Sequence, residues 1–148
     1  MSLNCIWVRV HLVWSTRCRL PIIEQAWQPA LYAYIAGIVR NKRCKLVCAG
    51  GTSDHIHLYI ALSSNLSVGS LVNTIKSNSA KWVNTNHGTS QPFRWQHGYG
   101  AFSMNLKSEK RLRTYIVDQK THHERRSTEQ EMVTFASLHG HQETEWLK

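Results

Sequence analysis

Acidic residues are scarce. The 148-residue chain carries 9 Asp and Glu against 18 Lys and Arg, a formal charge of +9 before any of its nine histidines takes a proton. The positive excess thus reflects missing acids rather than a lysine-rich tail, and an anionic partner, nucleic acid first, is the natural inference. Cysteine pairs are lacking too: Cys5, Cys18, Cys44 and Cys48 include no CxxC. No secretory n-region, h-region and cleavage pattern opens the chain, so a reducing, cytoplasmic setting is expected. Apolar runs are short. Arg, His or Ser interrupts each well before the roughly 20 residues that a membrane helix needs, so no membrane partner is expected. What is present is 42% hydrophobic and only 18% charged residues, which excludes intrinsic disorder. At this length a single domain, 1–148, buries roughly two-thirds of the surface its unfolded chain exposes.

Local patterns give an element order. Cys5 to Ser15 (CIWVRVHLVWS) mixes β-branched and aromatic residues with Arg9 and His11, which suits a strand with one face in the core. Leu31, Tyr34, Ile35 and Ile38 recur at helical spacing, predicting a helix from Trp27 to Asn41 with Pro29 in its first turn. Two strands follow, Cys44 to Ala49 and His55 to Leu62, joined by a Gly50–Asp54 turn. Ser67 caps a second helix whose stripe is Val68, Leu71, Val72, Ile75, Trp82 and Val83, ending near Asn86–Gly88. Phe93 to Gln96 and Tyr99 to Asn105 read as a short pair of strands, and Ser108 opens a third helix to about Glu124. A fourth begins at the capping box Ser127–Gln130. The order β, α, β, β, α, β, then helices is the split βαβ of a ferredoxin-like α/β (α+β) fold. Its sheet is mainly antiparallel with helices on one face, followed by C-terminal helices.

Chemistry concentrates in two segments. In Asp54-His55-Ile56-His57-Leu58, residues i and i+2 of a strand project from one face, so His55 and His57 can present two imidazoles to a divalent metal while Ile56 enters the core. Exposed or merely hydrogen-bonded histidines are the competing use of such a pair. A zinc site from Cys44, Cys48, His55 and His57 is disfavoured, because extended chain separates those cysteines by about 13 Å. In Tyr115–His123 (YIVDQKTHH), Tyr115 and Gln119 lie four apart on one helix face, with His122 a further turn along. A phenol and a neutral metal-binding oxygen are delivered together, against the ordinary alternative of core packing. Two imidazoles, a carboxamide and a phenol on a basic protein are what metal-assisted phosphodiester cleavage by a tyrosine nucleophile requires.

With these residues in hand, the chain resembles the single-tyrosine HUH transposases, small enzymes of bacterial insertion sequences and their REP-associated relatives. The resemblance rests on HLVWSTRCR (His11–Arg19), CAGGTSDHIHLYIAL (Cys48–Leu62), SLVNTIKSNSAKW (Ser70–Trp82), FRWQHGYGAFSMN (Phe93–Asn105) and YIVDQKTHH. It implies that His55, His57 and Gln119 ligate Mg²⁺ or Mn²⁺ and that Tyr115 is the catalytic nucleophile, forming a 5′-phosphotyrosine link. It implies single-stranded DNA with subterminal hairpins as substrate. It also implies a homodimer in which a tyrosine helix can complete the partner subunit's site, and a bacterial, nucleoid-associated location. No small-molecule organic cofactor is implied. Asp118 stands where relatives commonly carry Asn; solvent exposure is expected for it, with a place beside the metal as the alternative, while His122 is open between helix packing and contact with a phosphate or the metal's outer shell. Residues 125–148 are less typical of the family.

Arg17, Arg19, Lys76, Lys81 and Arg94 are the candidate phosphate contacts. Trp14, Trp82, Trp95 and Tyr99 offer rings for unpaired bases, with core and dimer packing as the competing use. Two other functions compete. A non-catalytic single-stranded nucleic-acid-binding module would carry stacking aromatics where His55-Ile56-His57 stands. A two-histidine phosphoesterase would need HxT or HxS motifs, and Leu58 follows His57. A domesticated REP-processing relative shares the transposase's chemistry.

Overall fold

A computed structural model describes residues 3–88 and 90–119 of the chain. Strand β1 (Arg9–Ser15) leads through a 3-10 turn at Arg17–Arg19 to helix α1 (Gln28–Asn41), and strands β2 (Lys45–Gly51) and β3 (His55–Ala61) form a hairpin. Helix α2 (Val68–Asn86), strand β4 (Gly100–Met104) and helix α3 (Glu109–Val117) complete the order. The sheet runs β2-β3-β1-β4 with every neighbouring pair antiparallel, the arrangement expected of the ferredoxin-like class.

Helices cover both faces of the sheet. On one, α1 and α2 close over Val10, Leu12 and Trp14 of β1 and Ile56, Leu58 and Ile60 of β3, with Leu31, Ile35, Leu71 and Ile75 as the helical side of the core. On the other, Leu112 and Ile116 of α3 pack against Tyr59, with Val47, Cys48 and Met104 around them. This two-sided cover explains why β1 and β3 are buried at almost every position rather than at alternate ones. Ser67 caps α2 as expected, its side chain accepting from the Ser70 amide. Ser79, inside the α2 stripe, is buried and accepts the indole N–H of Trp95 at 2.9 Å, satisfying a donor that burial would otherwise strand.

Several boundaries differ from the sequence expectation. The first strand starts at Arg9 rather than Cys5. Gly50 and Gly51, expected in the turn, extend β2 and pair with His57 and Ile56, leaving Thr52–Asp54 as the turn. Phe93–Gln96 does not form a hairpin with the strand after it. Trp95 bridges Thr16 and the Gln96 amide donates to the Ser15 carbonyl, so this segment lies along the same edge of β1 that β4 occupies. From Val13 to Thr16, β1 advances three residues while its neighbour goes from Gly100 back to Trp95, five residues. The surplus bulges out at 97–99, where Gly98 supplies a φ of +83°. The third helix ends at Val117 with Asp118 as its C-cap, short of the expected Glu124; residues 120–124, the fourth helix from Ser127, and His122 lie outside the described residues. Among the described residues no helix is long and apolar enough to cross a membrane.

The backbone of α3 comes close to the sheet at Gly50. A β-carbon built there would overlap the Ile116 carbonyl, a backbone atom that no rotamer change can remove. The expected outcome of Gly50→Ala is therefore an α3 displaced from β2, with a loss of about 1–3 kcal/mol in urea unfolding. The α1/α2 core should remain folded by near-UV circular dichroism; unchanged stability would mean that α3 does not need this approach.

Candidate active site

The α3-facing side of β3 carries His55 and His57, both buried, while Ile56 between them points into the α1/α2 core. His55 is oriented at one nitrogen. Its Nδ1 lies 2.7 Å from Asp54 Oδ1 and 2.9 Å from Thr52 Oγ1, and the Thr52 hydroxyl itself donates to Asp54 Oδ1 at 2.9 Å. An ionised carboxylate only accepts, so the imidazole hydrogen sits on Nδ1 and a neutral ring keeps its lone pair on Nε2.

That nitrogen faces the side-chain oxygen of Gln119 at 3.3 Å. Gln119 sits one residue beyond the C-cap of α3 and is buried, and its amide nitrogen donates to the Tyr115 carbonyl at 2.9 Å. This bond turns the amide so that its oxygen points at His55. A neutral imidazole lone pair and an amide lone pair aimed at each other have no hydrogen to share; they suit a cation. Two donors about 2.1 Å from one ion at a right angle stand roughly 3 Å apart, so the residues present fit a divalent metal. The carboxylate–imidazole pairing at Asp54–His55 is the partner such a ligand usually has. Among the described residues no group of three or more His, Cys, Asp or Glu could hold a metal.

His57 stands edge-on to both neighbours. Its ring centroid is 5.1 Å from that of His55 at 78° and 5.7 Å from that of Tyr115 at 87°. Tyr115, near the C-terminal end of α3, and Gln119, just past it, therefore meet the two histidines within a single chain, Tyr115 at His57 and Gln119 at His55. Asp118, the C-cap of α3, is exposed. The cysteines do not join them: Cys44 is buried with the α1/α2 core and Cys48 lies on the α3 face, where burial pushes its thiol up to about 11.

The basic candidates divide. Arg17 and Arg94 are exposed and adjacent, the Arg17 amide donating to the Arg94 carbonyl at 2.8 Å, beyond the end of β1. This is also the His55 end of β3, because the Thr16 amide donates to the Asp54 carbonyl at 2.7 Å. Cys18 and Arg19 hold left-handed φ values of 56° and 53° there, a conformation that costs side-chain-bearing residues about 1 kcal/mol or more each. Lys81 is exposed on α2. Lys76 is engaged: its ammonium donates to the carbonyls of Gln96, at 3.0 Å, and Gly98, and stands 5.5 Å and 5.7 Å from the ring centres of Trp14 and Tyr99. Partial burial lowers its pKa. Of the aromatic candidates, Trp14 and Trp95 are buried against each other in the core, Trp82 stacks on Tyr34, and Tyr99 is exposed.

Sequence reasoning assigned no role to His11 or to the Thr52–Asp54 pair. Asp54 had a local signal, since it precedes the first histidine directly. His11 had only its alternation with Val10 and Leu12, and its position relative to His57 depends on strand pairing.

Comparison with known proteins places this geometry in context. The family model described as "Transposase IS200 like" matches residues 5–119. The chain is similar in structure to a protein of Deinococcus radiodurans R1 assigned as a transposase, with a TM-score of 0.63 and 18% identity over 78% of this chain and 94% of that one. It is also similar to a REP-associated tyrosine transposase bound to a REP hairpin, with a TM-score of 0.57 and 15% identity over 78% of this chain and 70% of that one. No curated protein matches in sequence.

The contacts of Lys76 carry a consequence of their own. Lys76→Ala strips two carbonyls of a charged donor and is expected to cost about 1–3 kcal/mol in urea unfolding. The exposed Lys81→Ala is expected to stay within about 0.5 kcal/mol. Equal stability of the two variants would mean that the 97–99 bulge does not rely on the ammonium.

Proposed function

The chain belongs to the family of IS200-like transposases, and from that premise we propose that it is a metal-dependent single-stranded DNA endonuclease and strand transferase with Tyr115 as nucleophile. The observation that carries the reading is the meeting of four side chains from two parts of the chain: His55 and His57 from β3, Tyr115 from α3 and Gln119 just past its end.

His55, His57 and Gln119 are the residues that would hold Mg²⁺ or Mn²⁺. When bound, such an ion neutralises charge on a nonbridging phosphate oxygen as the transition state forms. The rest falls to the chain itself. Tyr115, on the last turn of a helix pinned to the sheet by Leu112 and Ile116, holds its phenol beside the histidines. Its oxygen attacks the phosphorus of a phosphodiester, the bond to the 3′-oxygen breaks, and that oxygen leaves as a 3′-hydroxyl with a proton. The downstream strand stays on Tyr115 as a 5′-phosphotyrosine. Attack by another 3′-hydroxyl on this link reverses the step and joins strands. Gln119 ties the ligand set to the nucleophile, since its amide spans from the Tyr115 carbonyl to His55.

The substrate we propose is single-stranded DNA carrying subterminal hairpins. Support comes from the charge of +9, from the exposed Arg17, Arg19 and Arg94 at the His55 end of the sheet, and from the relative that binds a REP hairpin. These arginines are the proposed phosphate contacts nearest the site, with Lys81 farther along α2; Lys76 acts on the protein first, by holding the bulge. A homodimer and a cytoplasmic, nucleoid-associated location belong to the same reading. A mobile element and a domesticated hairpin-processing relative would use this chemistry identically.

The test uses oligonucleotides from the DNA flanking the gene, labelled at either end, incubated with Mg²⁺ or Mn²⁺ and run on denaturing gels. A covalent adduct is expected on the downstream, 5′-phosphate fragment. Tyr115→Phe should abolish it while hairpin binding stays nearly intact, because one oxygen is removed from an otherwise unchanged ring. His57→Ala should lose metal-dependent cleavage and keep salt-sensitive binding. Adducts that persist in the Phe variant, or cleavage indifferent to excess chelator, would defeat the assignment.

A further inference from the structure

His11 is a fully buried polar residue on β1 that no step above uses. In the β1–β3 ladder it lies opposite Tyr59, two residues along from His57, so its ring reaches His57 across the diagonal of the antiparallel pair. Its Nε2 is 2.8 Å from His57 Nδ1, the ring centroids are 5.1 Å apart, and the planes differ by only 17°. The ring of Phe102, 6.0 Å away on β4, lies against its other side.

Two neutral imidazoles meeting edge to edge at this distance share one hydrogen, and which ring donates decides what His57 can do. If His11 Nε2–H donates, His57 Nδ1 is the acceptor, and its hydrogen sits on Nε2, where no lone pair is left for an ion. If His57 Nδ1–H donates, Nε2 carries the lone pair toward the side of the ring shared with His55 and Tyr115. We infer that His11 is a positioning residue: its Nε2 accepts the Nδ1–H of His57 and holds that histidine in the tautomer whose Nε2 is a ligand.

The inference rests on the reading of His57 as a metal ligand. It gives the two histidines of the pair unlike supports, a carboxylate and hydroxyl for His55 and a neutral imidazole for His57. A ligand's hydrogen-bond partner contributes to affinity by fixing both tautomer and ring orientation, and its loss typically weakens metal binding about 10- to 100-fold.

The experiment pairs a spectroscopic readout on the full chain with metal titration. Long-range ¹H–¹⁵N correlation NMR of the metal-free wild-type protein should show His57 protonated at Nδ1 and bare at Nε2; the opposite tautomer overturns the inference whatever any variant does. Mn²⁺ binding is then titrated on wild type, His57→Ala, His11→Leu and His11→Gln. His11→Leu is expected to bind Mn²⁺ about 10- to 100-fold more weakly. His11→Gln, whose amide oxygen can stand where Nε2 stood, is expected to recover most of the loss. Wild-type affinity in His11→Leu, with His57→Ala impaired, overturns the role of His11 and leaves the metal site standing. Wild-type affinity in His57→Ala overturns the metal reading itself, and the inference with it. Should His11→Leu fail to fold, the wild-type tautomer still decides.

Discussion

Strand β3 is hydrogen-bonded along both edges, to β1 and to β2, and buried on both faces. Because side chains alternate along a strand, a slip of one residue would carry His55 and His57 into the α1/α2 core and turn Ile56 toward α3. The apolar set of Ile56, Leu58 and Ile60 forbids that slip, since all three lie in the core cluster on the other face. Register in the centre of the sheet is thus set by hydrophobic burial on one side, and the polar site on the other side inherits it. The same pairing puts His11 diagonal to His57 and brings the end of β1, with its arginines, next to Asp54.

Helix α3 contributes the other half of the site, and it depends on a different constraint. It is short, nine residues, and isolated helices of that length are marginal in water. Leu112 and Ile116 hold it against Tyr59, and Gly50 permits the backbone approach at its C-terminal end. Tyr115 is on this last turn and Gln119 just beyond it, so the distance between phenol and histidines follows from how closely a helix can lie on a glycine. Site residues make contacts of their own from this end of the chain to β3, Gln119 to His55 and Tyr115 to His57.

Much of this was legible in the sequence. Alternation around His55-Ile56-His57 and the four-residue spacing of Tyr115 and Gln119 are local periodicities, and the element order carried the topology. What was not legible depends on pairing partners distant in the chain. The Gly50–Gly51 pair reads as a turn by composition and is a strand because α3 and the hairpin backbone need the space. Phe93–Gln96 reads as half of a hairpin, but the bulge at 97–99 keeps it on the edge of β1. Lys76 reads as a candidate phosphate contact, and only the path of the chain into and through that bulge gives it two carbonyls. His11, on the opposite strand and 46 residues from His57, had no local pattern to mark it.

The donor set has an electrostatic consequence for the proposed chemistry. Two neutral imidazoles and a carboxamide carry no charge, and the Asp54 carboxylate hydrogen-bonds His55 at Nδ1, the nitrogen that does not face Gln119. A divalent ion held this way would keep nearly its full charge. Sites rich in carboxylates bind hard cations more tightly, but they offset the very charge that an anionic phosphodiester is drawn to. Supporting His57 through a neutral ring instead of a second carboxylate continues the same economy of negative charge. The scarcity of acids across the chain, 9 against 18 bases, extends it to the surface. On the proposed function, the field that would gather a polyanionic strand and the local charge that would activate one phosphate share a sign, and neither would be spent neutralising the protein's own side chains.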